Sequence, residues 1–275
     1  MAIKLIIQVA DIHIRNVLRH DEYAQQLGKF IEKVKEIASP YKKEEVRIVI
    51  CGDLVHQKNN ISNELMAFTS AFIRDLEEIA QVMVFSGNHD LMESNTTRTD
   101  TITALFETAA FQNAYFLDNM LDYDSGYIVN DNVTWALYSI FADYRKPNIE
   151  EARKENPDNI VIGLYHGTVV GSVLPKGYTM DSGNDSSIFD GCDIVMAGHI
   201  HKRQELFCGK TPIVYSGSLI QQDYGESIES HGFCVWNLED KSHKFVDIPT
   251  DYGLYDIAIE NINDLDEGKE KLLNE

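Results

Sequence analysis

Asp11, His13, Asp53, Asn88, His89, Asp90, His166, His199 and His201 are side chains that can bind a divalent cation or move a proton. Each follows closely on an apolar run. Leu5–Ala10 leads to Asp11 and His13, and Val46–Cys51 leads to Gly52-Asp53. Val82–Phe85 leads to Gly87-Asn88-His89-Asp90, Ile160–Tyr165 to His166, and Ile194–Ala197 to Gly198-His199-Ile200-His201. A lone histidine is usually an ordinary residue, but six of the nine histidines fall in this pattern once His56, close behind Asp53, is included. His20, His231 and His243 read as ordinary.

The spacing has chemical content. Asp11 and His13 are two apart, as are His199 and His201; in extended backbone such residues share a face, so each pair is expected to offer two ligands to one site. Gly52 and Gly87 allow tight exits from their strands. Carboxylate and imidazole without thiolate suit Mn(II), Fe(II) or Zn(II), and argue against a closed structural zinc site. The ligands are too many for one ion. Two cations about 3.5–4 Å apart can share a water and clamp both oxygens of an in-line displacement at phosphorus. Competing motifs fail: Gln204 stands where a nucleotide-binding loop ending in Gly209-Lys210-Thr211 needs its first glycine, and there is no GxSxG.

Continuous β-branched runs read as buried strands, and open α/β sheets bind ligands beyond the carboxyl ends of such strands. The pattern predicts strands over 3–10, 46–51 and 81–86, with helices over 21–38, 62–79 and 100–111 and Ser62 as an N-cap. Shorter alternating strands are expected near 113–117, 125–130 and 133–140, and buried ones at 160–165 and 193–197. Strands near 203–207, 212–216, 232–237 and 243–248 read as an antiparallel meander with a turn at Cys208-Gly209-Lys210, followed by a helix near 263–274. Two mixed sheets packed face to face, flanked by helices in an α/β four-layer αββα sandwich, fit this order. The polar loops 167–187 and 217–231 leave connection and substrate contact as open readings.

The net charge of −20 opposes a tight, unassisted grip on a nucleic-acid duplex, since Lys and Arg are scattered. Bound divalent ions would offset it where a phosphate must sit. The four cysteines form no CxxC pair and are expected to be buried and reduced, as in cytosolic proteins. No stretch approaches the length of a membrane span.

In order and type, Asp11-x-His13, Gly52-Asp53, Gly87-Asn88-His89-Asp90, His166 and Gly198-His199-x-His201 resemble the motifs of calcineurin-like metallophosphoesterases. Gly52-Asp53-Leu54-Val55-His56 and Tyr215-Ser216-Gly217-Ser218 resemble the double-strand-break repair nucleases, the SbcD family with its eukaryotic and phage counterparts. The resemblance covers roughly residues 1–250, the nuclease domain of that family. It implies one metal held by Asp11, His13, Asp53 and His201, and a second held by Asp53, Asn88, His166 and His199. Mn(II) is the ion it implies, with His89 as the catalytic histidine, Asp90 orienting it, and His56 supporting substrate. Longer members continue into a DNA-capping region and helices that bind an SbcC-type ABC ATPase, so 251–275 would begin a truncated or minimal form of that region. They dimerise through helices placed here near 62–79 and 100–111.

The expected function is therefore a Mn(II)-dependent DNA nuclease, acting as exonuclease and single-strand endonuclease in break repair and recombination, in the cytoplasm of a bacterial or phage-infected cell. A small-molecule phosphodiesterase or phosphatase on the same fold is the alternative that the acidity favours. A non-catalytic scaffold is disfavoured, because every expected ligand position holds a suitable residue type.

Overall fold

Alternation within the first strand sets the layers of the molecule. In β1 (Leu5–Val9), Leu5, Ile7 and Val9 enter one apolar core and Ile6 enters another, so the strand is buried on both faces. The computed structural model describes residues 1–58 and 60–255. The expected helix near 263–274, and most of the segment 251–275, lie outside the described residues.

The first half of the chain alternates strand and helix. After β1 come α1 (His20–Ala38), β2 (Val46–Cys51), α2 (Asn63–Glu77), β3 (Gln81–Phe85), α3 (Thr101–Ala109) and β4 (Ala114–Phe116). Tyr23, Leu27, Phe30 and Val34 recur at helical spacing on α1 and pack into the helix-facing core. Ser62 caps α2 as expected, its side chain accepting from the Leu65 amide at 3.1 Å, and Asp100 caps α3 through Thr103 at 2.8 Å. Met66, Phe68, Phe106 and Phe111 are half-buried against this same core. All of this forms helices over one face of a sheet.

The remaining elements are α4 (Leu117–Met120), β5 (Gly126–Asn130), β6 (Val133–Tyr138), α5 (Ile149–Glu155), β7 (Ile160–His166), β8 (Ile194–Gly198), β9 (Gln204–Cys208), β10 (Thr211–Tyr215), β11 (Gly232–Asn237) and β12 (Ser242–Asp247). One six-stranded sheet has the order β12-β11-β1-β2-β3-β4, the other β5-β6-β7-β8-β10-β9. Both are mixed: β1 to β4 run parallel, β11 joins β1 antiparallel, and β9 joins β10 antiparallel. The four-layer αββα sandwich is the observed fold, with α5 and a helical turn at 186–189 covering the second sheet through Ile149 and Phe189.

Two expectations are corrected. The last four strands form no meander: β9 and β10 extend the second sheet, while β11 and β12 return to the first. The reason is burial, because Phe233 and Val235 face the helix-side core while Cys234 and Trp236 enter the layer between the sheets. A strand apolar on both faces needs cover on both. For the same reason β6 is buried throughout instead of alternating.

Between the sheets, Gln8 is fully buried. Its amide donates to the carbonyls of Ala197 (3.2 Å) and Val214 (2.8 Å) in the second sheet, and its oxygen accepts from Trp236 Nε1 (2.8 Å). All four cysteines are free and buried. Among the described residues no helix is long and apolar enough to cross a membrane.

Candidate metal centre

The carboxyl ends of β1, β2 and β3 in one sheet, and of β7 and β8 in the other, open on a single cleft. Asp11, His13, Asp53 and Asn88 reach it from the first sheet, and His166, His199 and His201 from the second. The backbone turns sharply where it delivers them. Asp11 (φ 52°), His13 (φ 53°), Asp53 (φ 52°) and His199 (φ 95°) all take left-handed conformations that side chains rarely adopt. The two-residue spacing therefore does not act through extended backbone.

Ligand atoms gather in two groups on either side of Asp53. Asp11, His13 and His201 converge in one, and Asp53, His166 and His199 in the other. His199 and His201 thus divide between the groups, which corrects the expectation that each closely spaced pair serves one site. Asp53 Oδ2 lies 3.4 Å from His13 Nε2 and 3.3 Å from His166 Nε2, so one carboxylate oxygen touches both groups. Asn88 Oδ1 faces His199 Nδ1 at 2.9 Å. The Nε2 atoms of His13 and His201 face each other at 3.1 Å.

Close approach explains the glycines. A Cβ on Gly87 would overlap Asp53 Oδ1, and one on Gly52 would overlap His166 Nδ1. His89 and His56 stack with ring centroids 5.0 Å apart beside His13, forming a further histidine group. His89 Nδ1 is 2.9 Å from the His56 carbonyl oxygen. A carbonyl only accepts, so Nδ1 carries the hydrogen and Nε2 is left to exchange protons. Asp90 does not orient this ring. Its two oxygens accept from the Val55 amide (3.0 Å) and the Gly87 amide (2.8 Å), tying the third motif to the second.

Burial and mutual charge set the proton affinities of these side chains. Burial pushes Asp11 upward and, with help from the Asp53 charge, Asp90 as well. Burial also opposes ionisation of Asp53, but His166 and His13 outweigh it and hold its carboxyl below the ordinary range. Burial lowers His13, and lowers His199 and His56 to about 4. His166 and His201 rise to about 9 despite burial, the first through Asp53 and the second through Glu226 and Asp11.

Glu226 was not visible in the sequence as a site residue. Its carboxylate is buried and accepts from His201 Nδ1 at 2.5 Å, from Ser218 Oγ at 3.2 Å and from the Gln222 amide at 2.9 Å. His231, read as ordinary, is buried in the same network, 3.1 Å from Ser218 Oγ. The loop 217–231 thus holds His201 from behind. Its polar composition was the available signal, and it did not single out one carboxylate. His20 and His243 are ordinary: one binds the Arg15 carbonyl at 2.6 Å, the other packs on Trp236.

The donor set fits divalent cations. His166 Nδ1 donates to the Cys51 carbonyl at 2.8 Å, so the neutral ring carries its lone pair on the buried Nε2. That atom faces Asp53 Oδ2 at 3.3 Å, and a cation would occupy it in place of the proton that Asp53 otherwise favours there. A buried ring nitrogen aimed at a carboxylate, with its other nitrogen fixed by a carbonyl, is the arrangement of a metal-ligating histidine. His201 repeats it with Glu226.

Comparison with known proteins agrees with the motif order. The profile described as calcineurin-like phosphoesterase matches residues 4–203. An uncharacterized protein of Acanthamoeba polyphaga mimivirus is 36% identical over 268 residues; the match covers 94% of this chain and 19% of that protein. Among solved structures, a novel archaeal phosphodiesterase is 13% identical, with a TM-score of 0.43 over 87% of this chain and 97% of its own. The phosphopantetheinyl hydrolase of Mycobacterium tuberculosis is 8% identical, with a TM-score of 0.42 over 79% of this chain and 90% of its own. With the profile spanning every motif from Asp11 to His201, the chain belongs to the calcineurin-like phosphoesterase family.

Proposed function

We propose that this chain hydrolyses phosphodiester bonds of DNA, as an exonuclease and single-strand endonuclease in break repair and recombination. The observation that carries the reading is the position of Asp53 between two ligand groups, one oxygen within 3.4 Å of both His13 and His166. Asp11, His13, Asp53 and His201 would hold one divalent cation, and Asp53, Asn88, His166 and His199 a second, with Mn(II) the ion of choice. Such a pair supplies an activated water and neutralises charge on the phosphoryl oxygens.

The chain's own residues do the rest. Asp53 Oδ1 accepts the His89 amide at 2.8 Å and so sets that residue beside the carboxylate that would be shared by the two cations. His89 Nε2 donates a proton to the leaving sugar oxygen, its ring fixed by the His56 carbonyl. His56 stacks under His89 and supports the substrate. Asp90 positions the loop that carries both Asn88 and His89.

Partnership with an SbcC-type ABC ATPase, a homodimer, and action in the cytoplasm belong to the same reading and are supported by the motif resemblance. The ATPase would also supply positive DNA-binding surface that a chain of charge −20 does not. That charge favours the second reading, a phosphodiesterase for small esters. One assay separates them: Mn(II)-dependent release of nucleotides from linear DNA, run beside bis-nitrophenyl phosphate. Degradation of DNA is the expected result, and turnover of the generic ester alone overturns the nuclease reading in favour of the second.

A further inference from the structure

The loop between β7 and β8 is firmly tied. Val173 and Thr179 bridge as antiparallel partners, and Gly171, Met180, Leu174 and Gly177 all donate backbone bonds of 2.8 Å within the resulting hairpin. Gln204 of β9 clamps the stem from the side, accepting from the Val173 amide (2.8 Å) and donating to its carbonyl (2.9 Å). A hairpin held this way presents its tip in a defined place.

That tip displays Lys176 and Tyr178. Tyr178 is 74% exposed and belongs to no core cluster, an unusual position for a large ring on an ordered element. Lys176 lies across Gly225 of the facing loop, where any Cβ would strike its Cε. It makes no ion pair among the described residues. The two loops enclose a groove of about 350 Å³ that runs from Tyr178 and Lys176 to His199 and His201. This volume lies within the usual range of small-ligand sites.

The groove also contains two carboxylates, and both are engaged. Asp223 Oδ1 accepts from the Gly225 amide at 2.5 Å, and Glu226 is held by His201, Ser218 and Gln222. Three features then meet at one end of the metal centre: an exposed aromatic face, an unpaired ammonium and two ligand histidines. An aromatic face binds a base without regard to its sequence, and an ammonium beside it binds the phosphate.

We infer that this groove is the subsite for one nucleotide unit adjoining the scissile phosphate, with its base stacked on Tyr178 and its phosphate on Lys176. The inference rests on the phosphodiesterase reading above and extends it to the choice of substrate. Tyr178 has no packing role, so its variants keep the wild-type melting temperature.

The test is titration of a deoxynucleoside monophosphate bearing the fluorescent base aminopurine, with Mn(II) present. Wild-type protein quenches the fluorescence saturably, Tyr178→Phe does the same, and Tyr178→Ala does not quench and, by calorimetric titration of the same nucleotide, binds about tenfold more weakly. Lys176→Met weakens the nucleotide but not the free nucleoside. Absence of quenching by the wild type, or unchanged binding by Tyr178→Ala, overturns the subsite. Linear DNA is digested in parallel to separate the two claims. Digestion without quenching removes the subsite and keeps the nuclease, whereas Tyr178-dependent quenching without digestion keeps the subsite and assigns it to small nucleotide esters.

Discussion

His89 stands outside the two groups that contain Asp11 and Asp53, in the all-histidine group with His13 and His56, and its free ring nitrogen is defined by a single carbonyl bond. His89→Gln should therefore keep both metals and lose cleavage by roughly 100- to 10,000-fold, the range for a general acid. Metal content by mass spectrometry and DNA turnover check it together; wild-type turnover with Mn(II) would remove His89 from the chemistry. Glu226 makes a different prediction. Glu226→Ala should weaken metal binding about 10- to 100-fold through His201, with Glu226→Gln in between because its amide oxygen still accepts from Nδ1. Calorimetric titration with Mn(II) reads this directly, and equal affinity in all three proteins would deny Glu226 a positioning role. At this scale the sequence was informative where type and adjacency coincide, as in Asn88-His89 or His199-x-His201. It was silent on Glu226, because one carboxylate in a polar loop has no local signature. The orienting role that the motif resemblance implied for Asp90 is not what the structure shows, because its oxygens turn back to Val55 and Gly87.

Strands were the easiest elements to find, since β1, β2, β3, β7 and β8 are predominantly apolar runs, interrupted only by residues such as Gln8 and Arg47, and almost wholly buried. Their pairing was harder. Nothing local in β11 says that it crosses back beside β1, because both the meander and the observed topology need apolar residues there. α5 is only seven residues long and buries just Ile149 and Ala152, too few to mark a helix by periodicity. The left-handed turns at Asp11, His13 and Asp53 were equally hidden, being imposed by tertiary contacts. They make the strand ends intolerant of added volume. Gly87→Ala would push on Asp53 Oδ1 and the His166 ring, so it should destabilise the fold by about 1–3 kcal/mol and abolish metal binding. Denaturant titration and a metal assay on the same preparation test this; a variant with wild-type stability and metal content would mean the loop can yield.

For the molecule as a whole, the cleft concentrates buried carboxylates and imidazoles that a divalent cation would satisfy together. At a Mn(II) concentration 100 times Kd, linkage gives about 2.7 kcal/mol of added stability. That corresponds to a melting temperature roughly 5–10 °C higher than with a chelator present. Scanning calorimetry in the two conditions checks it, and superimposable transitions would show that the folded protein gains nothing from the ion. The acidity was legible from composition, yet where it could be offset depended on two sheets meeting.

That meeting has a further consequence. Four of the ligand-type side chains hang from one sheet and three from the other, so the width of the cleft is a property of the layer that separates them. Trp135, Trp236 and the amide of Gln8 act there as a spacer. Whatever thins that spacer moves the two jaws of the centre, and residues that never meet a substrate set how far apart its jaws stand.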